Sequence, residues 1–241
     1  MFIETYMKLS FITLTNNGYK EMTKNCLISL RNIGINYLKV FCIDQESYDY
    51  LSPDFDFVFL MDIDENEVES ELINFRVGNW SKVVYKKFDI IYKELQENDY
   101  VLFTDGDIIY KKSGFIEYCL QNLEKNDIIL QDDKLTDNVF YNKEITNVNE
   151  VCTGFMLIKK NRRMLEIFNP KNIPELDVKC DQYYINQVKE SFNYKKLPMN
   201  LFPNGAYFRL EKPKDNYLIH FNFILGNRKK EKMIKYGYWY L

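Results

Sequence analysis

The sequence predicts an α/β fold, and three features lead to it. Leu9–Thr15 is an apolar run, Asn16, Asn17 and Gly18 carry turn chemistry, and Met22, Cys26, Leu30 and Ile33 then recur at helical spacing. Strand-like and helix-like segments continue to alternate along the chain. Tyr100–Phe103 runs directly into two carboxylates, Asp105 and Asp107, and open α/β sheets bind ligands at the carboxyl ends of their strands.

After the opening strand, turn and helix, Tyr37–Ile43 and Phe55–Met61 read as strands, separated by a segment containing Pro53 and turn residues. Trp80, Val84, Phe88, Ile91 and Leu95 mark a helix that stops before Asn98 and leads into the strand 100–103. Ile116, Leu120 and Leu123 mark the next helix and Ile128–Leu130 the next strand. The polar stretch Gln131–Glu150 is expected to be a long functional loop. Val151–Lys159 is a strand, Arg162–Phe168 a short helix ended by Pro170, and Asp181–Val188 a helix with Ile185 and Val188 inward. The remainder reads as strand, turn, strand and tail. No repeat or Pro/Gly/Ser linker divides the chain, so residues 1–241 are expected to form a single domain.

Composition excludes several classes. The chain has 241 residues, 46% hydrophobic and 28% charged, and its apolar runs fall well short of the roughly 20 residues that cross a bilayer, so no transmembrane segment is expected. Met1–Ser10 lacks the features of a secretory signal, which points to the cytoplasm, the host's if the source is viral. Five widely spaced cysteines without a C-x-x-C pair signal neither a disulfide framework nor a zinc cage, and are expected to be reduced and mostly buried. A net charge of -3 excludes general attraction to nucleic acid, although Arg228–Lys232 is locally basic. Aromatic residues make up 16% of the chain, enough to leave room for a homodimer or an acceptor platform on the surface.

The chemistry concentrates around Asp105-Gly106-Asp107. In extended backbone, residues i and i+2 project to one side, so both carboxylates can reach one hard cation, with Gly106 permitting close approach. A bound cation could neutralise a diphosphate leaving group; the bland reading is a polar turn. His220, the only histidine, lies in the apolar run Tyr217–Phe223, where it is either a third metal ligand or a satisfied core residue. Lys87 falls within the apolar stripe of its helix, where a charge needs a partner such as phosphate, or else snorkels at the helix flank.

Four ordered elements, Leu102-Phe-Thr104-Asp105-Gly106-Asp107, Cys152-Thr-Gly154-Phe-Met156, Asp181-Gln182 with Asn186, and His220, resemble the nucleotide-diphospho-sugar transferases of the GT-A fold. The group includes glycogenin, bacterial lipooligosaccharide galactosyltransferases, plant rhamnogalacturonan xylosyltransferases and giant-virus relatives. The resemblance spans nearly the whole chain. It implies a Rossmann-like, mixed central sheet flanked by helices, and transfer of a sugar from a nucleotide-sugar, by default a UDP-sugar, to a glycan, glycoprotein or other hydroxyl acceptor with retention.

The resemblance assigns manganese or magnesium to Asp105, Asp107 and His220, and the base and ribose to Thr15, Asn16 and Asn17. Thr104, Asp105 and Gly106 fall in its donor-binding element. Lys87 matches its phosphate-contacting helix, and Asp181 and Gln182 lie beside the anomeric carbon as orienting and electrostatic groups. Gly154 leaves room for the sugar or acceptor. In relatives a glycine and a lysine follow the late histidine closely, whereas Gly226 is six residues on here and Lys229 nine. Arg228, Lys229 or Lys230 is nevertheless expected near the diphosphate, with the tail Tyr236–Tyr240 covering the donor; the alternative is a solvated basic helix and a packing tail.

Two other readings remain. A sugar-phosphate nucleotidyltransferase would want a Gly-rich loop after the first strand, and Leu14-Thr-Asn-Asn-Gly-Tyr19 is not one. A non-catalytic nucleotide-sugar-binding protein would have little need of the intact Asp181-Gln182 pair.

Overall fold

The structure is a computed structural model that describes residues 7–62, 80–133, 149–173 and 180–241, with the backbone alone at 80–84. Of the expected loop Gln131–Glu150, residues 134–148 lie outside the described residues, as do the side chains of Trp80 and Val84.

Nine strands form two sheets among the described residues. They are β1 (Leu9–Thr15), β2 (Lys39–Cys42), β3 (Val58–Leu60), β4 (Tyr100–Thr104), β5 (Ile108–Tyr110), β6 (Ile128–Asp132), β7 (Val151–Lys159), β8 (Tyr194–Leu197) and β9 (Leu218–His220). The main sheet has the order β3-β2-β1-β4-β7-β6-β8, and β5 pairs with β9 apart from it. The sheet is mixed: β7 runs antiparallel to both β4 and β6, and every other pairing in it is parallel.

The helices are α1 (Lys20–Asn32), α2 (Gln45–Leu51), α3 (Trp80–Glu97), α4 (Phe115–Leu123), α5 (Arg162–Ile167), α6 (Asp181–Val188), α7 (Gly205–Glu211) and α8 (Arg228–Lys235). Successive strand residues go to opposite faces. Phe11, Leu102 and Leu157 pack with α1 and α4, whereas Ile12, Val101, Phe103 and Ile158 pack with α3, α5 and α6. Helices on both faces explain why the central strands read as continuous apolar runs rather than alternating ones.

β7 and α6 have the bounds expected from the sequence, and α3 ends immediately before Asn98 as expected. β2 and β3 are shorter than their apolar runs. α2 and α7 were not expected: α2 buries only Ser47 and Leu51, so it lacks a recurring apolar stripe, and it starts because Asp44 caps the Ser47 N–H at 2.8 Å. α7 likewise starts on a side-chain cap, Asn204 accepting from the Tyr207 N–H at 2.8 Å. The run after His220 does not continue β9; the chain turns through Phe223 and Gly226, both at positive φ, into α8. All five cysteines are buried and free. No helix among the described residues is long and apolar enough to cross a membrane.

Two features aim the site. The register between β6 and β7 shifts between Leu130, opposite Met156, and Gln131, opposite Cys152, so Thr153, Gly154 and Phe155 bulge out of the ladder. The β5–β9 ribbon sets His220 opposite Ile108, and the Phe221 N–H donates to the Asp107 carbonyl at 3.1 Å. The C-terminal tail closes on α1 through buried Asn25, which donates to the Tyr238 carbonyl at 2.8 Å and accepts from the Tyr240 N–H at 2.7 Å. Replacing Asn25→Ala leaves both backbone groups without that partner, and is expected to lower stability by about 1–3 kcal/mol, read by urea denaturation.

Candidate functional site

β4 is buried from Val101 to Thr104 and delivers the Asp105-Gly106-Asp107 turn to the carboxyl end of the sheet. A side chain at Gly106 would run into Thr23 of α1, so glycine is required by the packing of that helix on the turn. Thr104 is fully buried, its hydroxyl accepting from Tyr110 at 2.7 Å and donating to the Asp105 carbonyl. It braces the turn from inside.

Each carboxylate of the turn divides its oxygens between a lysine and a common centre. Asp105 Oδ1 lies 3.1 Å from Lys87 Nζ, and Asp107 Oδ2 lies 2.6 Å from Lys229 Nζ. The other two oxygens face His220 Nε2, Asp107 Oδ1 at 3.2 Å and Asp105 Oδ2 at 3.8 Å. Ligand atoms of Asp105, Asp107 and His220 thus lie within 4.8 Å of one another. Carboxylate oxygens and an imidazole nitrogen suit a hard to borderline divalent cation such as manganese or magnesium. These three residues fit the metal that their sequence pattern implies.

Lys87 is 4% exposed on α3, so its charge is drawn inward rather than out along the helix flank. Its ammonium joins Asp105 to Asp181 Oδ2, 2.6 Å away, and lies 4.5 Å from the centre of the Phe103 ring. Burial disfavours its charge, but Asp105 and Asp181 outweigh that and hold its pKa above the usual lysine range. Asp181, at the start of α6, also accepts from the Thr153 hydroxyl at 2.6 Å, so the bulge of β7 and the helix are tied at one carboxylate. Gln182 donates to Asp133 Oδ2 at 2.8 Å.

Lys229 answers the question left by the long spacing after His220. α8 is a basic helix that turns Lys229 and Met233 inward, and Lys229 reaches Asp107 past the Tyr19 ring. Burial works against the Asp107 carboxylate, yet Lys229 holds it well below the usual carboxyl range. Gly226 takes φ 53° and accepts the Lys229 N–H at 3.1 Å, so it shapes the entry to α8. Lys230 is drawn off to Glu21 at 2.6 Å, and Arg228 is exposed.

At the other side, the Thr15 hydroxyl accepts from Thr23 at 2.8 Å, Asn16 caps the Asn17–Tyr19 turn, and the Asn17 N–H donates to Asp44 at 2.7 Å. A cleft of about 200 Å³ runs between Asn17–Gly18 and α8 with Trp239 on its wall; Asp105, Asp107 and His220 are not among its lining residues.

Gly154 lies in the bulge, where a side chain would collide with both His220 and Asp105. The space it leaves is occupied by these two residues. Two polar groups have no counterpart among the sequence motifs, Gln131, which contacts His220, and Asp133, which holds Gln182; Thr153 lies within the Cys152–Met156 motif, and its bond to Asp181 is what the motif left unassigned. Gln131 shares a strand with apolar Ile128–Leu130, and a buried polar residue ending such a run is the signal that was available.

The family profile of nucleotide-diphospho-sugar transferases matches residues 34–234. The chain belongs to that family. A UDP-galactose:fucoside alpha-3-galactosyltransferase from Dictyostelium discoideum is 25% identical over 95% of this chain, which spans only 43% of that relative's length. Among solved structures, the galactosyltransferase LgtC with donor and acceptor sugar analogues has a TM-score of 0.57 at 11% identity, covering 88% of this chain and 86% of its own. A glycosyltransferase involved in glycosylating the major capsid of PBCV-1 has a TM-score of 0.58 at 11% identity, with 95% and 99% covered. These likenesses establish the GT-A fold.

Two outcomes are expected from the site's packing. Gly154→Ala should cost about 1–3 kcal/mol of stability and, because the collision falls on His220 and Asp105, should weaken manganese binding in calorimetry. Burial pushes the Asp133 carboxyl up to about 7, against the hydrogen bond from Gln182. Between about pH 4 and 7 the folded protein therefore keeps a proton the unfolded chain has lost, and stability falls as pH rises through that window. Asp133→Asn should flatten that fall, gaining up to about 4 kcal/mol on wild type at pH 8 relative to pH 4 in denaturant titrations.

Proposed function

We propose that this chain is a metal-dependent glycosyltransferase that moves a sugar from a UDP-sugar to a hydroxyl of a glycan or glycoprotein, with retention at the anomeric carbon. The observation that carries the proposal is the division of labour at Asp105 and Asp107. One oxygen of each is neutralised by a lysine and the other is aimed with His220 at one point. Family membership supports the nucleotide-sugar donor, and the Dictyostelium relative's name makes UDP-galactose and a fucoside the first pair to test.

A manganese or magnesium ion bound there would supply positive charge to the departing diphosphate. Asp105, Asp107 and Asp181 face Lys87 and Lys229, which leaves one excess negative charge among them before a divalent ion is added. Among the described residues the ammonium of Lys229 is paired with Asp107 beside the Tyr19 ring, and an incoming diphosphate would draw on it. Asp181 Oδ2 already accepts from Lys87 and Thr153, so it acts as a fixed negative wall that favours positive charge developing on the sugar. Gln182, held by Asp133, orients that sugar.

The acceptor hydroxyl attacks from the face that the diphosphate leaves. The new carbon–oxygen bond forms as the bond to phosphate breaks, and the hydroxyl proton passes to the departing phosphate oxygen. No protein base is needed, and the anomeric configuration is kept.

Calorimetry with UDP and UDP-galactose, with and without manganese, tests this reading. Wild type should bind in a manganese-dependent way and Asp107→Ala should not. Lys229→Ala should weaken donor binding by about 2 kcal/mol, roughly thirtyfold. Absence of nucleotide binding by folded wild type would overturn the proposal, and an inverted first product in NMR would overturn retention.

A further inference from the structure

We propose that Gln131 is a positioning residue that holds the His220 proton on Nδ1, so that Nε2 presents its lone pair to the cation site. This rests on the reading of Asp105, Asp107 and His220 as ligands. Gln131 is fully buried at the end of β6, where the register with β7 shifts. Its Nε2 lies 3.0 Å from the Phe202 carbonyl, which can only accept. That contact decides which end of the amide faces which way.

The Oε1 end is therefore turned toward His220 Nδ1, at 2.7 Å. An amide oxygen also only accepts, so Nδ1 must carry the proton. The other group near Nδ1 is the Cys152 sulfur, more distant at 3.7 Å and itself accepting from the Gly154 N–H at 3.4 Å. With Nδ1 committed, the imidazole's free lone pair is on Nε2, 3.2 Å from Asp107 Oδ1. The opposite tautomer would set the Gln131 oxygen against a ring lone pair and place a proton where a metal ligand is needed.

The backbone of one short loop supports both partners. Phe202 offers its carbonyl to Gln131, and the next residue, Pro203, accepts the His220 N–H at 3.1 Å. Phe202 is itself fully buried against Tyr118, Phe155 and Tyr217. The amide and the ring are thus held by neighbouring carbonyls on a rigid support, the arrangement by which outer groups fix the tautomer of a metal-binding histidine.

His220 is the only histidine in the chain, so its ring nitrogens can be read directly in 15N-labelled protein carrying no histidine tag. Long-range 1H–15N correlation of wild type should show a protonated Nδ1 at neutral pH. Nε2 should be the nitrogen that shifts when Cd2+ is added as a diamagnetic stand-in for manganese. Gln131→Leu should mix the tautomers and lower Mn2+ affinity, measured by EPR, about ten- to hundredfold. Gln131→Glu, which keeps an acceptor beside the ring, should keep Nδ1 protonated.

A wild-type ring protonated on Nε2 alone, or a Gln131→Leu protein with wild-type tautomer and Mn2+ affinity, would overturn the proposal. The wild-type and Gln131→Glu spectra decide the matter if Gln131→Leu does not fold. A wild type with protonated Nδ1 that binds neither Cd2+ nor Mn2+ would instead overturn the ligand reading, and one that binds metal but no UDP-sugar would overturn the donor assignment alone.

Discussion

A carboxylate removed from water must be paired, and the end of β4 brings two buried ones, Asp107 and, from α6, Asp181, together with the half-buried Asp105. Their mutual repulsion is offset by Lys87 and Lys229, which come from helices more than a hundred residues apart in the chain. α3 is seated by the buried Phe88, Ile90, Ile91 and Leu95 and α8 by Met233, and each then delivers one of these lysines. Taking one oxygen of each aspartate of the turn, the lysines also decide which oxygens remain for a ligand. Charge balance and ligand geometry are thus set by the same contacts, and a buried pair broken on one side costs several kcal/mol.

The backbone carries the rest of the arrangement. The bulge of β7 moves Thr153 to Asp181 and opens the space beside Gly154 that Asp105 and His220 fill. The β5–β9 ribbon continues the Asp105–Asp107 turn into a separate two-stranded sheet, and its register fixes the height of His220 relative to Asp107. Because the tail returns through Asn25 onto α1, α8 is anchored at both of its ends: by Gly226 at the entry and by the packed aromatic residues at the exit. A lysine on a helix so anchored can be aimed as closely as one on a strand.

Several candidate residues changed meaning once their neighbours were visible. Lys87 was legible as a charge in an apolar stripe, but its partners are carboxylates. Thr104 belongs to the motif and serves it from inside, through Tyr110. Gly154 was legible as a place needing space, while what fills that space depends on a strand partner and on a ribbon over sixty residues away. Asp133 and Gln131 border the polar stretch after β6 and carry no motif of their own; their importance arises from one contact each, with Gln182 and His220. α2 and α7 escaped notice because their starts depend on caps and their stripes are short.

What the sequence determined by itself is the part governed by local physics. Apolar periodicity placed the central strands and the long helix, and two aspartates one residue apart after a buried strand marked the ligand-binding end of the sheet. Four ordered motifs pointed to the family that the profile over residues 34–234 then established. Tertiary structure alone decided which oxygen of each aspartate is spent on a lysine, which lysine of the basic run turns inward, and which ring nitrogen of His220 faces the carboxylates. Hydrogen bonds and ion pairs act over about three ångströms, and that proximity comes from strand order, bulge and ribbon register, whose partners are far apart in the chain.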